Sequence, residues 1–293
     1  MTMRIGIIGG SGLYDLDVFR LEDRVTVPTP FGNPSDPFEI FEINGREVVF
    51  LSRHGKGHRL LPTEINYRAN IWGMKLLGVS AILSVSAVGS FRKEIKPTDI
   101  VLIDQFYDRT NQARKATFFG EGLVAHISFE NPLCGELRRV LFEAGHEEGL
   151  GARMHWGGTY LNVEGPAFST RAESRLHKSW GFDVVGMTNL VEAKLAREAE
   201  ICYATLATVT DYDSWVDDRD DHLVSSDLVV ETLRDNVESV RKIIVKSVAA
   251  IPGERSCTCG SALRHAIVTS PESVPKAVAE RLDPIIGRYM RKA

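Results

Sequence analysis

Three stretches of the sequence carry residue types whose spacing suits an anion. Ile5-Gly6-Ile7-Ile8-Gly9-Gly10-Ser11-Gly12 is a short β-branched run breaking into three glycines and a serine. Glycine there lets backbone N–H groups come close to whatever sits above the strand end, and Ser11 adds a hydroxyl. Arg53-His54-Gly55 closes a second apolar run with a guanidinium, an imidazole and an open backbone, which repeats the anion-friendly arrangement. A third run, 81–86, breaks at Ala87-Val88-Gly89-Ser90, again in small residues and a hydroxyl. The glycines miss the dinucleotide pattern, because Asp15 stands three places after Gly12, and the lysine of a P-loop is absent. NAD and ATP are poor matches; a smaller anion remains open.

A second kind of chemistry gathers at Asp211-Tyr212-Asp213, which ends the long β-rich run 201–210. Carboxylates at i and i+2 share one side of a continuing strand, so one cleft would hold both. The four cysteines, Cys134, Cys202, Cys257 and Cys259, are too few for a disulfide scaffold in 293 residues. Cys257-Thr258-Cys259, followed by His265, is half a metal site, and no second pair at ligand spacing completes it. A close redox or structural pair and two plain thiols stay open, and no metal is expected.

The elements that must position these groups alternate. Val25-Thr26-Val27 and residues 38–43 read as half-buried strands, with an Asn44-Gly45 hairpin turn before the strand 47–51. Helical spacing covers 66–77, 136–144, 190–200 and 225–249; strands cover 99–103, 157–166 and 182–188; 167–171 reads as a loop. The alternation predicts an α/β fold: a three-layer single domain, 1–251, with a mixed, centrally parallel sheet flanked by helices. Residues 252–293 form a C-terminal extension with the Cys-x-Cys and a helix over 273–291.

Composition excludes several partners. With 43% apolar and 25% charged residues the chain reads as soluble and globular. A formal net charge of -4 and a pI near 6.1 argue against nucleic acid. The first thirty residues lack the order of a secretion signal, and no apolar run approaches ~18 residues. A cytoplasmic protein without a membrane partner is expected.

Taken in order, Ile5–Leu13, Arg53-His54-Gly55, 66–72, Asp104-Gln105-Phe106, Glu164-Gly165-Pro166, 168–174, Met187-Thr188 and Thr210-Asp211-Tyr212-Asp213 resemble one family. It is the 5'-methylthioadenosine phosphorylase branch of the trimeric purine nucleoside phosphorylases, and the resemblance covers residues 3–250. It implies phosphorolysis, in which inorganic phosphate attacks the anomeric carbon of a purine nucleoside and releases the base and a ribose 1-phosphate. Phosphate is then a co-substrate, and no resident cofactor is implied. Position by position, the phosphate pocket would be Ser11, Arg53, His54, Ser86, Ala87 and Thr188. Asp211 would donate or relay a proton to purine N7, with Asp213 beside it. Phe168 would stack near the base or sugar, Ser169 would touch the base and Met187 would lie under the ribose. His126, reaching across from an adjacent subunit, and Val229 would receive the 5'-methylthio group, so a homotrimer is expected.

An aspartate at the base position accepts from a 6-amino group, whereas 6-oxopurine enzymes of this kind place asparagine there, so adenine is favoured. Two departures from the family's pattern stand out. Residues 187–192 lack the usual proline, which leaves Glu192 without an assigned role. The Cys-x-Cys resembles a variant of some microbial members that is associated with disulfides. A broader or 6-oxopurine phosphorylase, a hydrolase using water and a catalytically silent nucleoside-binding protein are the alternatives.

Overall fold

The computed structural model describes residues 3–10, 20–216 and 226–290, without the side chains of 226–230 and 233–235. In chain order the elements are β1 (Arg4–Gly9), β2 (Arg20–Val25), β3 (Phe38–Ile43), β4 (Arg46–Ser52), α1 (Tyr67–Leu76) and β5 (Val79–Ser90). Next come β6 (Ile100–Leu102), β7 (Gln105–Arg109), α2 (Gly135–Glu147), β8 (Met154–Trp156), β9 (Thr159–Val163) and α3 (Arg171–Ser179). The remainder are β10 (Val184–Gly186), α4 (Asn189–Glu198), β11 (Cys202–Asp211), α5 (Ser226–Ala250), α6 (Lys276–Arg281) and α7 (Asp283–Met290).

One sheet holds these strands in the order β2-β3-β4-β1-β5-β10-β9-β7, with β11, β6 and β8 branching from β5. The centre is parallel: β1 pairs in parallel with β4 and β5, and β5 with β11. The antiparallel pairs are β2/β3, β3/β4, β10/β5 and β11/β6, which makes the α/β sheet mixed.

Period-two alternation splits the central strands between two cores. Ile5 and Ile7 of β1, Val48 and Phe50 of β4 and Ala81 and Leu83 of β5 turn to one face, where Leu137 and Leu141 of α2 and Ile243 and Ile244 of α5 cover them. Ile8, Val49, Leu51 and Ile82 turn to the other, under Ile71 and Met74 of α1 and Val191 and Leu195 of α4. Strands covered on both faces read as near-continuous apolar runs, as these do. Leu263, Val278, Leu282, Ile285 and Ile286 of the C-terminal extension join the α1/α4 side of the core.

Four local expectations are corrected. The run that was to break at Ala87 continues unbroken, and β5 is a twelve-residue strand through Ser90. β2 ends at Val25 rather than spanning 25–27. The helix expected over 273–291 is split into α6 and α7 at Leu282, where Pro284 has no N–H to donate to the Glu280 carbonyl. The loop at 167–171 runs directly into α3, whose N-cap Thr170 and Glu173 form a reciprocal capping box. Among the described residues no helix is long and apolar enough to cross a membrane.

Candidate active site

The site grows from an exchange of partners along one edge of β5. On that edge β1 pairs with β5 as far as Ser84, and β10 takes over, antiparallel, at Gly89 and Ser90. Among the described residues no strand pairs with 85–88 on this edge, while β11 follows β5 along the other from Ala81 to Gly89. The carboxyl ends of β1 and β10 therefore run toward each other beside Ser86 and Ala87. Open α/β sheets bind ligands at such switch points, where strand ends diverge and leave a crevice.

Each strand end delivers a group. After β4, the Arg53 N–H bonds the Gly9 carbonyl at 2.9 Å, extending the β1/β4 ladder by one residue. The Arg53 side chain is 1% exposed. Its Nε meets Glu192 Oε1 at 2.5 Å, and its Nη2 meets Glu192 Oε2 at 3.1 Å and Ser84 Oγ at 2.6 Å. Nη1 bonds the Val85 carbonyl at 2.8 Å. These contacts use four of five guanidinium hydrogens; the fifth is on Nη1, which lies 3.0 Å from where a Cβ on Gly10 would be. Burial alone would lower the Arg53 pKa, but the Glu192 charge and hydrogen bond outweigh it and hold the guanidinium charged.

Glu192 is the group that residue patterns did not assign. It also accepts from Ser84 Oγ at 3.0 Å and from the Tyr203 hydroxyl at 2.8 Å, while Asn189 bonds both Ser84 and Tyr203. Its signal in the sequence is a carboxylate within the apolar run Leu190-Val191-Glu192-Ala193, on a helix that the sheet buries. Its partner Arg53 is 139 residues away in the chain. No local spacing could have joined them.

Beside Arg53, His54 is buried, and its Nδ1 lies 2.8 Å from the Leu60 carbonyl, so that nitrogen carries the proton. Burial and the Arg53 charge push its pKa down to about 4, leaving a neutral ring stacked on His58 at 4.2 Å. From the opposite side, Thr188 caps α4, and its N–H donates to the Tyr160 hydroxyl at 3.4 Å. The Ser86 hydroxyl lies on the same side and bonds the Ala87 carbonyl at 3.4 Å. The α4 N-terminus points its amide dipoles into the same crevice, an arrangement that favours anions.

Three residues further along β5, about 10 Å from Ser86, the character changes. Asp211, the last residue of β11, is 6% exposed and accepts from Thr210 Oγ1 at 2.7 Å. Burial and the neighbouring Asp213 charge raise its pKa to about 6. The strand stops here, so Asp213 reaches the same place from a following 3₁₀ turn rather than along a continuing strand. A Cβ on Gly89 would lie 2.9 Å from Asp211 Oδ1 and 3.2 Å from Asp213 Cβ, so glycine makes room for both carboxyls. Burial also raises the Asp213 pKa, and among the described residues neither its Oδ2 nor the nearby Ser174 hydroxyl has a hydrogen-bond partner.

Around the crevice, Met187 is half-buried, with its sulfur against Gly165, and Phe168 is 43% exposed. Arg114 binds the Met187 and Glu164 carbonyls and the Glu164 carboxylate, tying these two loops together. Patterns had missed this arginine also. His126 is exposed and lines a different cavity with Cys134, Cys257, Cys259 and His265. Ser11 and the Val229 side chain lie outside the described residues.

Comparison with known proteins gives concordant matches. A sequence model of the Phosphorylase superfamily matches residues 4–249. The chain is 55% identical over 289 residues to an S-methyl-5'-thioadenosine phosphorylase of Koribacter versatilis, covering 99% of this chain and 97% of that one. It is 55% identical over 290 residues to one of Geobacter sulfurreducens, covering 99% and 100%. Among solved structures, a methylthioadenosine phosphorylase from an antarctic soil metagenomic library has a TM-score of 0.90 at 45% identity, covering 97% of this chain and 99% of that one. A Schistosoma mansoni methylthioadenosine phosphorylase in complex with adenine has a TM-score of 0.85 at 36% identity, covering 93% and 99%.

Proposed function

Because the chain belongs to the Phosphorylase superfamily, we propose that it cleaves S-methyl-5'-thioadenosine with inorganic phosphate, giving adenine and 5-methylthioribose 1-phosphate. The observation that carries this is the partner exchange on β5. It sets an anion crevice at Ser86 and Ala87 about 10 Å from a buried carboxyl pair. That separation suits a nucleoside whose anomeric carbon faces the phosphate while its purine reaches Asp211. The names carried by relatives at 55% identity over nearly the whole chain support the substrate.

In this mechanism the C1'–N9 bond breaks as a phosphate oxygen bonds C1', through a sugar with oxocarbenium character. Phosphate sits on Gly10, Ser11, His54, Ser86, Ala87 and Thr188, with the last Arg53 donor and the α4 dipole completing its cradle. The Arg53 charge is already neutralised by Glu192, so the pair supplies direction more than net attraction. Negative charge moving onto the purine is relieved by a proton passed to N7 from the Asp211 carboxyl. A pKa near 6 keeps that proton available close to neutrality. The Asp213 Oδ2 accepts from the adenine 6-amino group. Ser169 and Phe168 contact the base, Met187 underlies the ribose, and Val229 meets the methylthio group.

His126 lines a cavity apart from its own crevice and completes a neighbour's 5' pocket in a homotrimer; the reaction is cytoplasmic and uses no resident cofactor. At saturating phosphate, base release should be fastest from S-methyl-5'-thioadenosine, slower from adenosine and slowest from inosine. Inosine fastest would contradict the roles of Asp211 and Asp213, and release from none would favour a silent nucleoside-binding protein. Gly89→Ala is expected to lower kcat/KM about 10²-fold by displacing Asp211, measured by adenine release, while KM for phosphate stays near the parent value. A large rise in phosphate KM would contradict the separation of the two ends.

A further inference from the structure

The four cysteines, drawn from three distant parts of the chain, meet at one point. Cys134 is the N-cap of α2, Cys202 opens β11, and Cys257 and Cys259 flank the start of a 3₁₀ turn. Their four sulfurs all lie within 4.8 Å of one another, and Cys202 and Cys257 approach to 3.3 Å. The sequence shows only half of a metal site, because no second ligand pair stands at ligand spacing. The fold supplies one: the Cys134 N–H bonds the Tyr203 carbonyl at 2.9 Å, which pins α2 against the first residues of β11. We propose that Cys134, Cys202, Cys257 and Cys259 form a tetrathiolate site for a single zinc-class ion that fastens residues 252–293 to the sheet.

The geometry fits one ion. Zinc–sulfur bonds of about 2.3 Å set a tetrahedral sulfur–sulfur edge of about 3.8 Å. The observed spread brackets that value and is too tight for a multi-iron cluster at the centre. All-sulfur tetrahedral sites select zinc over harder cations, and four protein ligands leave no open position, so the role is structural. The Cys-x-Cys is one residue shorter than the usual zinc knuckle, and the 3₁₀ turn that follows brings Cys259 round to the shared centre.

The surroundings favour thiolates. Cys134 sits at a helix N-terminus, where unpaired amides stabilise negative charge. Arg197, His126 and His265 line the adjoining cavity of about 480 Å³, setting basic groups near a site whose net charge with zinc is negative. Cys134, Cys202 and Cys259 are buried, while Cys257 is half-exposed and opens on the cavity, which gives an ion a way in. Farther along the extension, Glu200 is bound by Arg288, Tyr289 and the Leu263 N–H, so ion and carboxylate hold it at two points.

The full-length protein, expressed in a reducing cytosol, is expected to retain about one zinc per chain by elemental analysis. Its four thiols should react with a thiol reagent only after a strong chelator is added. Cobalt offered to the reduced, chelator-treated protein should give sulfur-to-cobalt charge-transfer absorption, and zinc should abolish it. Cys259→Ser should lose the zinc. Since that buried change risks misfolding, Cys257→Ser at the half-exposed position should also lose it while keeping a cooperative thermal transition at lower temperature. An intact mass showing two disulfides in the isolated protein, no uptake of cobalt or zinc after reduction, or zinc retained undiminished in both variants would overturn the proposal.

Discussion

Replacing Asp211 with asparagine is expected to lower kcat/KM for S-methyl-5'-thioadenosine by about 10²–10⁴-fold, the usual worth of one positioned proton transfer. Inosine should lose less, because an asparagine amide near N7 can also donate to a 6-oxo oxygen, which adenine lacks. The pH profile carries a second signature. A proton donor with a pKa of about 6 gives a kcat/KM that falls as pH rises through that value, and the asparagine variant should lack this limb. The substitution should lower activity but raise stability at high pH. Burial raises the folded pKa from 3.8 to about 6, so the protonated form is favoured by folding. The stabilisation is fully present below about 3.8 and lost as pH rises through about 6. Asparagine carries no charge to bury, so at pH 8 the variant should resist urea better by about 1–3 kcal/mol. Equal losses on both substrates, with an unchanged pH profile, would remove Asp211 from the chemistry.

The second large effect concerns Glu192. Its carboxylate and the Arg53 guanidinium are each 1% exposed, so Glu192→Ala leaves a buried cation without its counter-ion. Breaking such a pair from one side costs about 3–5 kcal/mol, most of it the desolvation of the abandoned charge. Removing both charges, as Arg53→Met with Glu192→Leu, should recover most of that loss. The double variant separates folding from function. It should stay folded yet show a KM for phosphate raised about 10–100-fold, the worth of one charge-assisted hydrogen bond. Urea unfolding and phosphate saturation curves on the three proteins decide it. A double variant as unstable as Glu192→Ala, or one with unaltered phosphate KM, would contradict the role given to the last Arg53 donor.

These two residues show where the sequence was legible. Asp211 could be read because a β-rich run stops abruptly on Asp-x-Asp, and the strand does end there. Arg53 could be read because it follows Val48-Val49-Phe50-Leu51-Ser52, and β4 ends at Ser52. The α/β alternation was equally plain, because runs buried on both faces carry few polar residues. Glu192 was opaque because its meaning lies in a partner on another strand end. The stretch after Ser86 was misread for a related reason. Small residues there mark an edge of β5 left bare by the exchange of β1 for β10, and composition does not separate a bare edge from a loop. The cysteines failed likewise: local spacing showed half of the cluster, and the α2/β11 contact brought the rest.

The most direct test follows phosphate and adenine together in one reaction with S-methyl-5'-thioadenosine. Phosphorolysis at the β5 crevice predicts one phosphate consumed for each adenine released, and no release when phosphate is withheld. Adenine appearing at an undiminished rate without phosphate, with free methylthioribose as the sugar product, would mean that water is the nucleophile and would contradict the central claim.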